Sequence, residues 1–383
     1  MTDPRADTSP RADTGLRADT GPRADTGPRA GAAVQAADPR FDGIVRPSAV
    51  LPGAREALLP VPHGPDNHAV NLLLTRGGEL LSTWFSGPQE GDPGTNVVVS
   101  RRTGDRWADP LLVAADPLRS EQNPVLFEDG DGLVWLLHTS MEPHDQTTAH
   151  VVARTSADAG RTWSEPRVLF AEPGTFIRHP PAVLDDGTWV LPAYHCTAAG
   201  DHSVVKLSAD GGRTWTEHQV PDSGDLVQMT IAQRPSGALL AMYRDRRAGR
   251  IYASTSADGR AWSAPERTEL PNNDSSVQLT RLGDGRLALV YNDASLERNQ
   301  FRWVTKNGQR RRKALRTPLV VALSEDGGAN WPHRRVLQDS DSEYWQNELG
   351  YSYPSVIDGR AGRLHVAFSY LRKTIKHLEI DAS

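Results

Sequence analysis

Residues 156–163 read Ser-Ala-Asp-Ala-Gly-Arg-Thr-Trp, and this stretch decides the fold because its pattern recurs along the chain. The pattern Ser-x-Asp-x-Gly-x-x-Trp returns at Ser208–Trp215 and Ser324–Trp331, loses one residue at Ser256–Trp262, and is degenerate at Ser100–Trp107. Serine and aspartate side chains accept hydrogen bonds from turn N–H groups, glycine adopts positive φ, and tryptophan packs a hairpin on its neighbour. The pattern therefore predicts a structural turn and not a set of catalytic aspartates.

The spacing of the five copies predicts the architecture. Their serines are 56, 52, 48 and 68 residues apart, the period of a four-stranded propeller blade. Between the copies lie short apolar runs split by Gly/Asp turns, and six inner hairpins can be counted from Val70–Phe85 to Ser355–Tyr370. We predict an all-β fold, a six-bladed β-propeller of four-stranded antiparallel blades over residues 41–383. Residues 44–60 are expected to complete the last blade and close the ring.

The first forty residues differ in kind from the rest. Arg5–Pro10 reads RADTSP, and RADTGL and two RADTGP units follow it. Such a segment buries too little apolar surface to offset the entropy of ordering it, so we predict that residues 1–40 are disordered. Its charges are not followed by the apolar run of a secretory signal, and a cytoplasmic location is expected.

The amino-acid composition argues against several classes of function. The 383 residues include 43 Lys plus Arg against 48 Asp plus Glu, a formal charge of −5, and a single cysteine, Cys196. This balance argues against nucleic acid as a partner, and no apolar run has the roughly 18 residues that a membrane span requires. A lone cysteine excludes an intramolecular disulfide framework and a thiolate metal cluster. We expect a monomer without metal or cofactor.

A Ser-x-Asp-x-Gly-x-x-Trp turn is called an Asp-box, and with these repeats the chain resembles the sialidase (neuraminidase) superfamily with BNR repeats. Four phrases look like a bacterial branch of predicted neuraminidases: Gln122–Leu126, Leu270–Asn273, Tyr351–Ser355 and Thr374–His377. The resemblance implies an exo-glycosidase that hydrolyses a terminal acidic, sialic-acid-like sugar. Because Asp-boxes occur on propellers of other chemistry, they do not by themselves assign the substrate.

The resemblance also implies roles for particular residues. Sialidases use three arginines for the substrate carboxylate, a tyrosine nucleophile activated by a glutamate, and an aspartate acid/base. Arg244 and Arg316 match the settings of two of the arginines. Tyr351 matches the nucleophile, although Tyr353, one pleat further on what is expected to be the same face, is an alternative.

Three positions depart from the family pattern. His68 stands where the first arginine is expected, and Gln228, an amide that cannot act as a base, stands where the glutamate is expected. The acid/base loop, residues 88–96, offers Glu90 and Asp92 in shifted places.

Polar residues at the start of each inner strand are expected to converge at the mouth of the central channel. Joined by Arg372 from the end of a hairpin, they form a predicted site for an anionic, hydroxyl-rich ligand. The members of this set are His68, Asn123, Arg178, His179, Gln228, Asn273, Tyr353 and Arg372.

Two other functions stay open. In a lyase that cleaves beside a uronic acid, His68 or His179 would take the C5 proton while Tyr351 or Tyr353 protonates the leaving oxygen. A propeller without its catalytic pair would only bind a glycan.

An insertion at residues 296–315 carries seven cations, and it is read either as a solvated loop or as an electrostatic lid over the channel mouth.

Overall fold

The hairpins and Asp-boxes of the sequence form six antiparallel sheets arranged as the blades of a β-propeller, as predicted. The computed structural model describes residues 38–306, 308–347 and 349–382. Most of the segment that we predict to be disordered, residues 1–37, lies outside the described residues. Within them, no helix is long and apolar enough to cross a membrane.

The first half of the strands, in chain order, is β1 (Arg46–Pro47), β2 (Arg55–Leu58), β3 (Asp66–Leu74), β4 (Leu80–Gly87), β5 (Asn96–Thr103), β6 (Arg106–Trp107), β7 (Leu111–Ala114), β8 (Ser120–Glu128), β9 (Val134–Glu142), β10 (Asp145–Ser156), β11 (Arg167–Phe170), β12 (Thr175–Ile177), β13 (Ala182–Val183), β14 (Trp189–Thr197), β15 (Gly200–Ser208) and β16 (Thr216–Gln219). The second half is β17 (Leu226–Gln233), β18 (Leu239–Asp245), β19 (Arg250–Ser256), β20 (Glu266–Pro271), β21 (Gln278–Arg281), β22 (Leu287–Asn292), β23 (Phe301–Lys306), β24 (Gln309–Ala314), β25 (Leu319–Ser324), β26 (His333–Gln338), the short helix α1 (Ser342–Gln346), β27 (Tyr351–Asp358), β28 (Arg363–Tyr370) and β29 (Thr374–Asp381).

Each blade takes consecutive strands except at two places. Blades 1 to 4 are β3–β7, β8–β11, β12–β16 and β17–β20, and blade 5 is β21, β22, β25 and β26. The predicted insertion separates β22 from β25 and contains a two-stranded ribbon, β23 with β24. Blade 6 joins β27–β29 to β1 and β2 from the other end of the chain.

The hydrophobic core lies between neighbouring blades. Six principal clusters of buried apolar side chains fill the six interfaces of the described residues. Between blades 5 and 6, for example, Val321 and Val366 belong to one cluster, and between blades 6 and 1 Ile375 and Val98 belong to another. Each blade is therefore stabilised by apolar burial on both faces.

The Asp-box turns fasten one blade to the one before it. In the copy that begins at Ser208, the serine hydroxyl accepts a hydrogen bond from Gly212 N at 2.8 Å, and Asp210 accepts one from Thr214 N at 2.9 Å. Gly259 has a φ of +77°, and a methyl group there would lie 2.9 Å from Val190 of the preceding blade. The turn requires glycine both for its backbone conformation and for this close approach.

The ring closes through the N-terminal strands, which confirms the expected role of residues 44–60. Strand β2 pairs with β29, with Arg55 opposite Glu379 and Leu58 opposite Lys376. The buried side chains of Val45 and Leu59 join the cluster between blades 6 and 1. Without this pairing the backbone of β29 would be an unprotected edge.

Removing the closing strands should destabilise the whole propeller. A chain that begins at Pro60 loses β1 and β2, and with them the burial of Val45 and Leu59, about 2 kcal/mol for each side chain. We expect its melting temperature to fall by ten degrees or more. A chain that begins at Asp38 keeps every described strand and is predicted to melt with the full-length protein. Equal melting temperatures for both shortened chains would contradict the role of the closing strands.

Candidate functional site

Irregular backbone at one end of the channel directs side chains into its mouth. Ala69, Asn123, Gln228 and Tyr353, near the starts of four inner strands, have φ between +46° and +60°. The pairing of each of these strands with its neighbour shifts register at that point, as in a β-bulge. A bulge sets two residues opposite one and changes where their side chains point. Three of the residues predicted to line the mouth, Asn123, Gln228 and Tyr353, therefore lie where the inner strands depart from regular pairing, and His68 directly precedes the fourth such position.

Tyr353 lies at the centre of this arrangement. Its phenolic oxygen accepts a hydrogen bond from Arg244 Nη1 at 2.6 Å and one from Gln228 Nε2 at 3.3 Å. The guanidinium carbons of Arg178 and Arg316 are 5.4 and 5.8 Å from the centre of its ring. The structure thus gathers three arginines around one tyrosine.

Tyr351 occupies a different environment. Its ring is fully buried and packs against Tyr344 and Phe368, while its hydroxyl donates to Asp341 at 3.3 Å. The expectation that both tyrosines lie on one face is wrong, because the bulge at Tyr353 interrupts the alternation of β27. Only Tyr353 faces the arginines.

Arg178 is a buried cation without a carboxylate partner among the described residues. The residue follows β12 in the chain, and its side chain is 1% exposed and donates from Nη2 to the carbonyl oxygens of Val70 and Tyr353 at 2.9 and 3.2 Å. Burial lowers its pKa to about 10, so it is charged at neutral pH. Its Nε and Nη1 groups find no partner in the described part of the chain. Such a group favours a bound anion.

Arg244 and Arg316 are held by different partners. Arg244 donates from Nε and Nη2 to Asp274 Oδ1 at 2.9 and 2.7 Å. Burial alone would lower the pKa of Arg244, but the Asp274 carboxylate raises it above its usual value. Arg316 donates from Nη1 to the hydroxyl of Ser352 at 3.1 Å, and burial lowers its pKa. Arg316 has no salt bridge to a carboxylate within the described residues, and it is therefore open to an acidic ligand.

Arg372 binds two carboxylates, one of them a predicted acid. Its Nη1 donates to both oxygens of Asp66 at 3.0 and 2.9 Å, and its Nη2 pairs with Glu90. Burial opposes the ionisation of Glu90, but the charge of Arg372 outweighs it and lowers the pKa of that carboxyl. Burial raises the pKa of Asp66. The other predicted acid, Asp92, pairs with His144 at 2.7 Å and is one-third exposed at the rim.

The two predicted histidines are neutral and buried. His68 Nδ1 is 2.8 Å from the hydroxyl of Ser369, and its ring centre is 4.1 Å from that of Tyr353. Burial, with the positive charges of nearby arginines, lowers the pKa of His68 well below 6.5, and its Nε2 has no partner among the described residues. His179 Nε2 is 3.2 Å from the hydroxyl of Ser276, and burial also lowers the pKa of His179 well below 6.5. Only His68 contacts Tyr353.

The predicted asparagines line the same region, and Asn273 connects it to the insertion. Asn273 Nδ2 donates to the carbonyl oxygen of Leu315 at 2.7 Å, and its Oδ1 is buried without a partner in the described residues. Asn123 is 6% exposed at its bulge.

Sequence reasoning missed the residues that orient the predicted ones. Asp66 lies two residues before His68 on the same strand, so alternation offered a signal for it. No sequence signal pointed to Asp274 or Ser369, because their partners Arg244 and His68 are 30 and 301 residues away along the chain.

Comparison with known proteins is consistent with this arrangement. Residues 78–366 match the model of the BNR repeat-like domain family. A sialidase of Bacteroides fragilis (strain YCH46) is 26% identical over 246 residues, which are 58% of this chain and 40% of the relative. A sialidase of Micromonospora viridifaciens is 23% identical over 324 residues, 73% of this chain and 47% of that protein. This chain thus spans less than half the length of the curated relatives it matches.

Among solved structures, the Hadza microbial sialidase Hz136 has a TM-score of 0.69 at 19% identity over 83% of this chain and 66% of that one. This likeness concerns the fold.

The burial of His68 predicts a pH dependence of stability. Because its pKa is lowered on folding, the unfolded chain binds the additional proton, and stability falls as pH drops below about 6.5. His68→Gln should therefore show a smaller loss of melting temperature than the native chain between pH 7 and pH 5. The control is His333→Gln, which replaces a histidine whose side chain is 60% exposed and should lose as much melting temperature as the native chain. An unchanged loss in His68→Gln would show that His68 does not stay neutral.

Proposed function

This chain belongs to the BNR repeat-like domain family of the sialidase superfamily, and we propose that it hydrolyses a terminal acidic, sialic-acid-like sugar from a glycoside. One observation carries the proposal: three guanidinium groups surround Tyr353, and Arg244 Nη1 is 2.6 Å from its phenolic oxygen. A cationic site that contains a tyrosine suits a sugar that bears a carboxylate, since guanidinium groups bind carboxylates in a planar, two-pronged geometry.

The charges of the site favour an anionic substrate. The guanidinium groups of four arginines, Arg178, Arg244, Arg316 and Arg372, face the carboxylates of Glu90 and Asp274 and the carboxyl group of Asp66. This leaves at least one positive charge for a substrate carboxylate to neutralise. Arg178 and Arg316 are the members without a carboxylate partner in the described residues. We assign the substrate carboxylate to these two, with Arg244 held in place by Asp274.

In the hydrolytic mechanism, Tyr353 Oη forms a bond to the anomeric carbon as the bond from that carbon to the leaving oxygen breaks. The carboxyl group of Asp66, whose pKa is raised by burial, is the preferred proton donor to the leaving oxygen, and Glu90 is its ionised neighbour. Water then attacks the anomeric carbon and gives a proton back to the Asp66 carboxylate, while the tyrosyl oxygen leaves and recovers its proton from the base that took it.

The proton of Tyr353 needs an acceptor other than Gln228. The amide of Gln228 only donates to the phenolic oxygen, and it has no basic lone pair. His68 is neutral, contacts the ring of Tyr353, and leaves Nε2 unpartnered among the described residues. We therefore assign to His68 the role of base that the family resemblance gives to a glutamate.

The same neutral histidine favours a second candidate, β-elimination beside a uronic acid. There His68 Nε2 takes the C5 proton, the electron pair forms the C4–C5 double bond, and the C4–O bond breaks with the proton of Tyr353 passing to the leaving oxygen. The arginines would stabilise the negative charge on the uronate carboxylate. Both mechanisms use Tyr353 and His68, and they differ in whether the tyrosine becomes covalently attached.

Loss of Arg316, which we assign to the substrate carboxylate, or of Arg244, which donates to the phenolic oxygen of Tyr353, should destabilise the transition state. Arg244→Ala and Arg316→Ala are each expected to lower kcat/KM for a fluorogenic sialic acid glycoside at least tenfold, about 1.4 kcal/mol. The control is Arg213→Ala, which replaces an exposed arginine on an Asp-box turn and should leave kcat/KM at the native value. Native kcat/KM in both site variants would contradict the roles assigned to Arg316 and Arg244.

The two tyrosines provide a matched pair for the mechanism. Tyr353→Phe should abolish turnover, whereas Tyr351→Phe, which removes a hydroxyl bound to Asp341, should retain it. Mass spectrometry after incubation with a fluorinated sialic acid analogue should find the sugar attached to Tyr353 in the native chain and in Tyr351→Phe.

A product that absorbs in the ultraviolet, formed from an oligouronate without a tyrosyl adduct, would replace hydrolysis by elimination. Binding of acidic sugars without turnover of either substrate would leave a glycan-binding propeller.

A further inference from the structure

The insertion in blade 5 is a cationic ribbon with two distinct faces. We define the basic ribbon as β23 and β24, residues 301–314, a stretch that contains six Lys or Arg and no Asp or Glu. Residues directly opposite each other share a face in an antiparallel pair, so Trp303, Arg312 and Arg310 lie on one face and Arg302 and Arg311 on the other.

The first face is a ladder of aromatic rings and guanidinium groups. Arg310 lies over the ring of Trp303 at 4.5 Å, and Arg312 lies over the ring of Phe301 at 5.2 Å. Trp303 is nevertheless 51% exposed, and Arg310, Arg311 and Arg312 are exposed as well. The cation–π contacts hold charged groups in place without neutralising them.

Four arginines of the ribbon lack a carboxylate partner in the part of the chain that the structure describes. Within the described ranges, no salt bridge joins Arg302, Arg310, Arg311 or Arg312 to a carboxylate. The whole chain carries a formal charge of −5, so the ribbon is a positive feature on an acidic protein. Several like charges on one two-stranded ribbon repel one another, and a bound polyanion would relieve that repulsion.

The base of the ribbon is part of the wall of the candidate site. Leu315, which follows β24, accepts the hydrogen bond from Asn273 described above and directly precedes Arg316. On the other strand, Arg302 donates to the carbonyl oxygen of Asn347 at 2.8 Å and lies 5.7 Å from the ring of Tyr344. The Tyr344 hydroxyl in turn accepts from Arg316 N at 3.0 Å.

We propose that the basic ribbon is a binding subsite for an acidic oligosaccharide, whose terminal sugar occupies the candidate site while the following charged sugars lie along the face of Trp303, Arg310 and Arg312, with Arg311 adding positive charge from the other face. The inference rests on the proposed function, because it takes the terminal sugar to be acidic. It deepens that function by assigning a substrate class, a glycan with a carboxylate on several successive sugars.

The observations favour a glycan over a nucleic acid. Bases stack on free aromatic faces, but one face of both Trp303 and Phe301 already carries a guanidinium group. Arg316 lies two residues after the ribbon in the chain. A ligand whose terminal sugar places a carboxylate at Arg316 can therefore place the carboxylates of its following sugars along the ribbon.

The test uses the full chain and a charge-removal variant, Arg310→Gln/Arg311→Gln/Arg312→Gln. Its matched control is Arg213→Gln/Arg260→Gln/Arg281→Gln, three exposed arginines on Asp-box and hairpin turns at the opposite end of the blades. Binding is measured by calorimetry at two salt concentrations with a sialic acid hexamer, a galacturonic acid hexamer and a 20-nucleotide single-stranded DNA. Melting temperatures verify that each variant is folded.

We expect the ribbon variant to bind at least one acidic hexamer tenfold or more weakly than the native chain, with a smaller dependence on salt, while the control binds normally. The identity of that hexamer decides between a sialic acid and a uronic acid chain. Arg310→Lys/Arg311→Lys/Arg312→Lys, which keeps the charge, should restore most of the affinity.

Equal affinity of the ribbon variant and the native chain for both hexamers, or tighter binding of the DNA than of either hexamer, would overturn the inference. Its failure can be separated from that of the proposed function. Ribbon-dependent binding without turnover of the sialic acid glycoside supports the subsite and refutes the hydrolase, whereas turnover of that glycoside with ribbon-independent binding does the reverse.

Discussion

Pairing of the first described strands with the last strand is the constraint on which the rest of the propeller depends. When β2 bonds to β29, blade 6 is complete and the six inner strands are brought around one channel. The apolar clusters between blades then close on themselves, so that each blade has a neighbour on both sides. Asp-box turns add a second fastening, since Gly259 and Gly328 lie so near Val190 and Leu240 of the preceding blades that a Cβ atom would overlap those side chains.

The site is made by local departures from this regular frame. A straight inner strand would alternate its side chains between the two blade faces, but the left-handed residues at Asn123, Gln228 and Tyr353 direct polar groups into the mouth. Non-glycine residues in that conformation carry strain, which the surrounding blades sustain. Arg178 contributes by donating to the carbonyl oxygens of Val70 and Tyr353 beside two of the bulges.

Burial and the charges of nearby arginines determine the protonation states of the residues in the mouth. Burial keeps His68 neutral beside several cations, while Arg372 keeps Glu90 ionised. The mouth therefore holds the neutral imidazole of His68 in contact with Tyr353, the ionised carboxylate of Glu90, and two arginines, Arg178 and Arg316, that have no carboxylate partner among the described residues. The substitution of Gln228 for an expected glutamate fits this balance, because an amide can bind the phenolic oxygen without adding another negative charge.

The sequence by itself determined the all-β propeller, its six hairpins and the closure by residues 44–60, because these depend on a local turn motif and a simple period. It also selected Arg178, Arg244 and Tyr353, since residues at strand ends must meet at the channel mouth. It did not separate Tyr353 from Tyr351, because a bulge is set by contacts with Ser275 and Arg178, which are distant in sequence. Only the tertiary structure paired Arg244 with Asp274 and His68 with Ser369, and only it made a ribbon of the insertion, because these contacts join blades and strands that no sequence period relates.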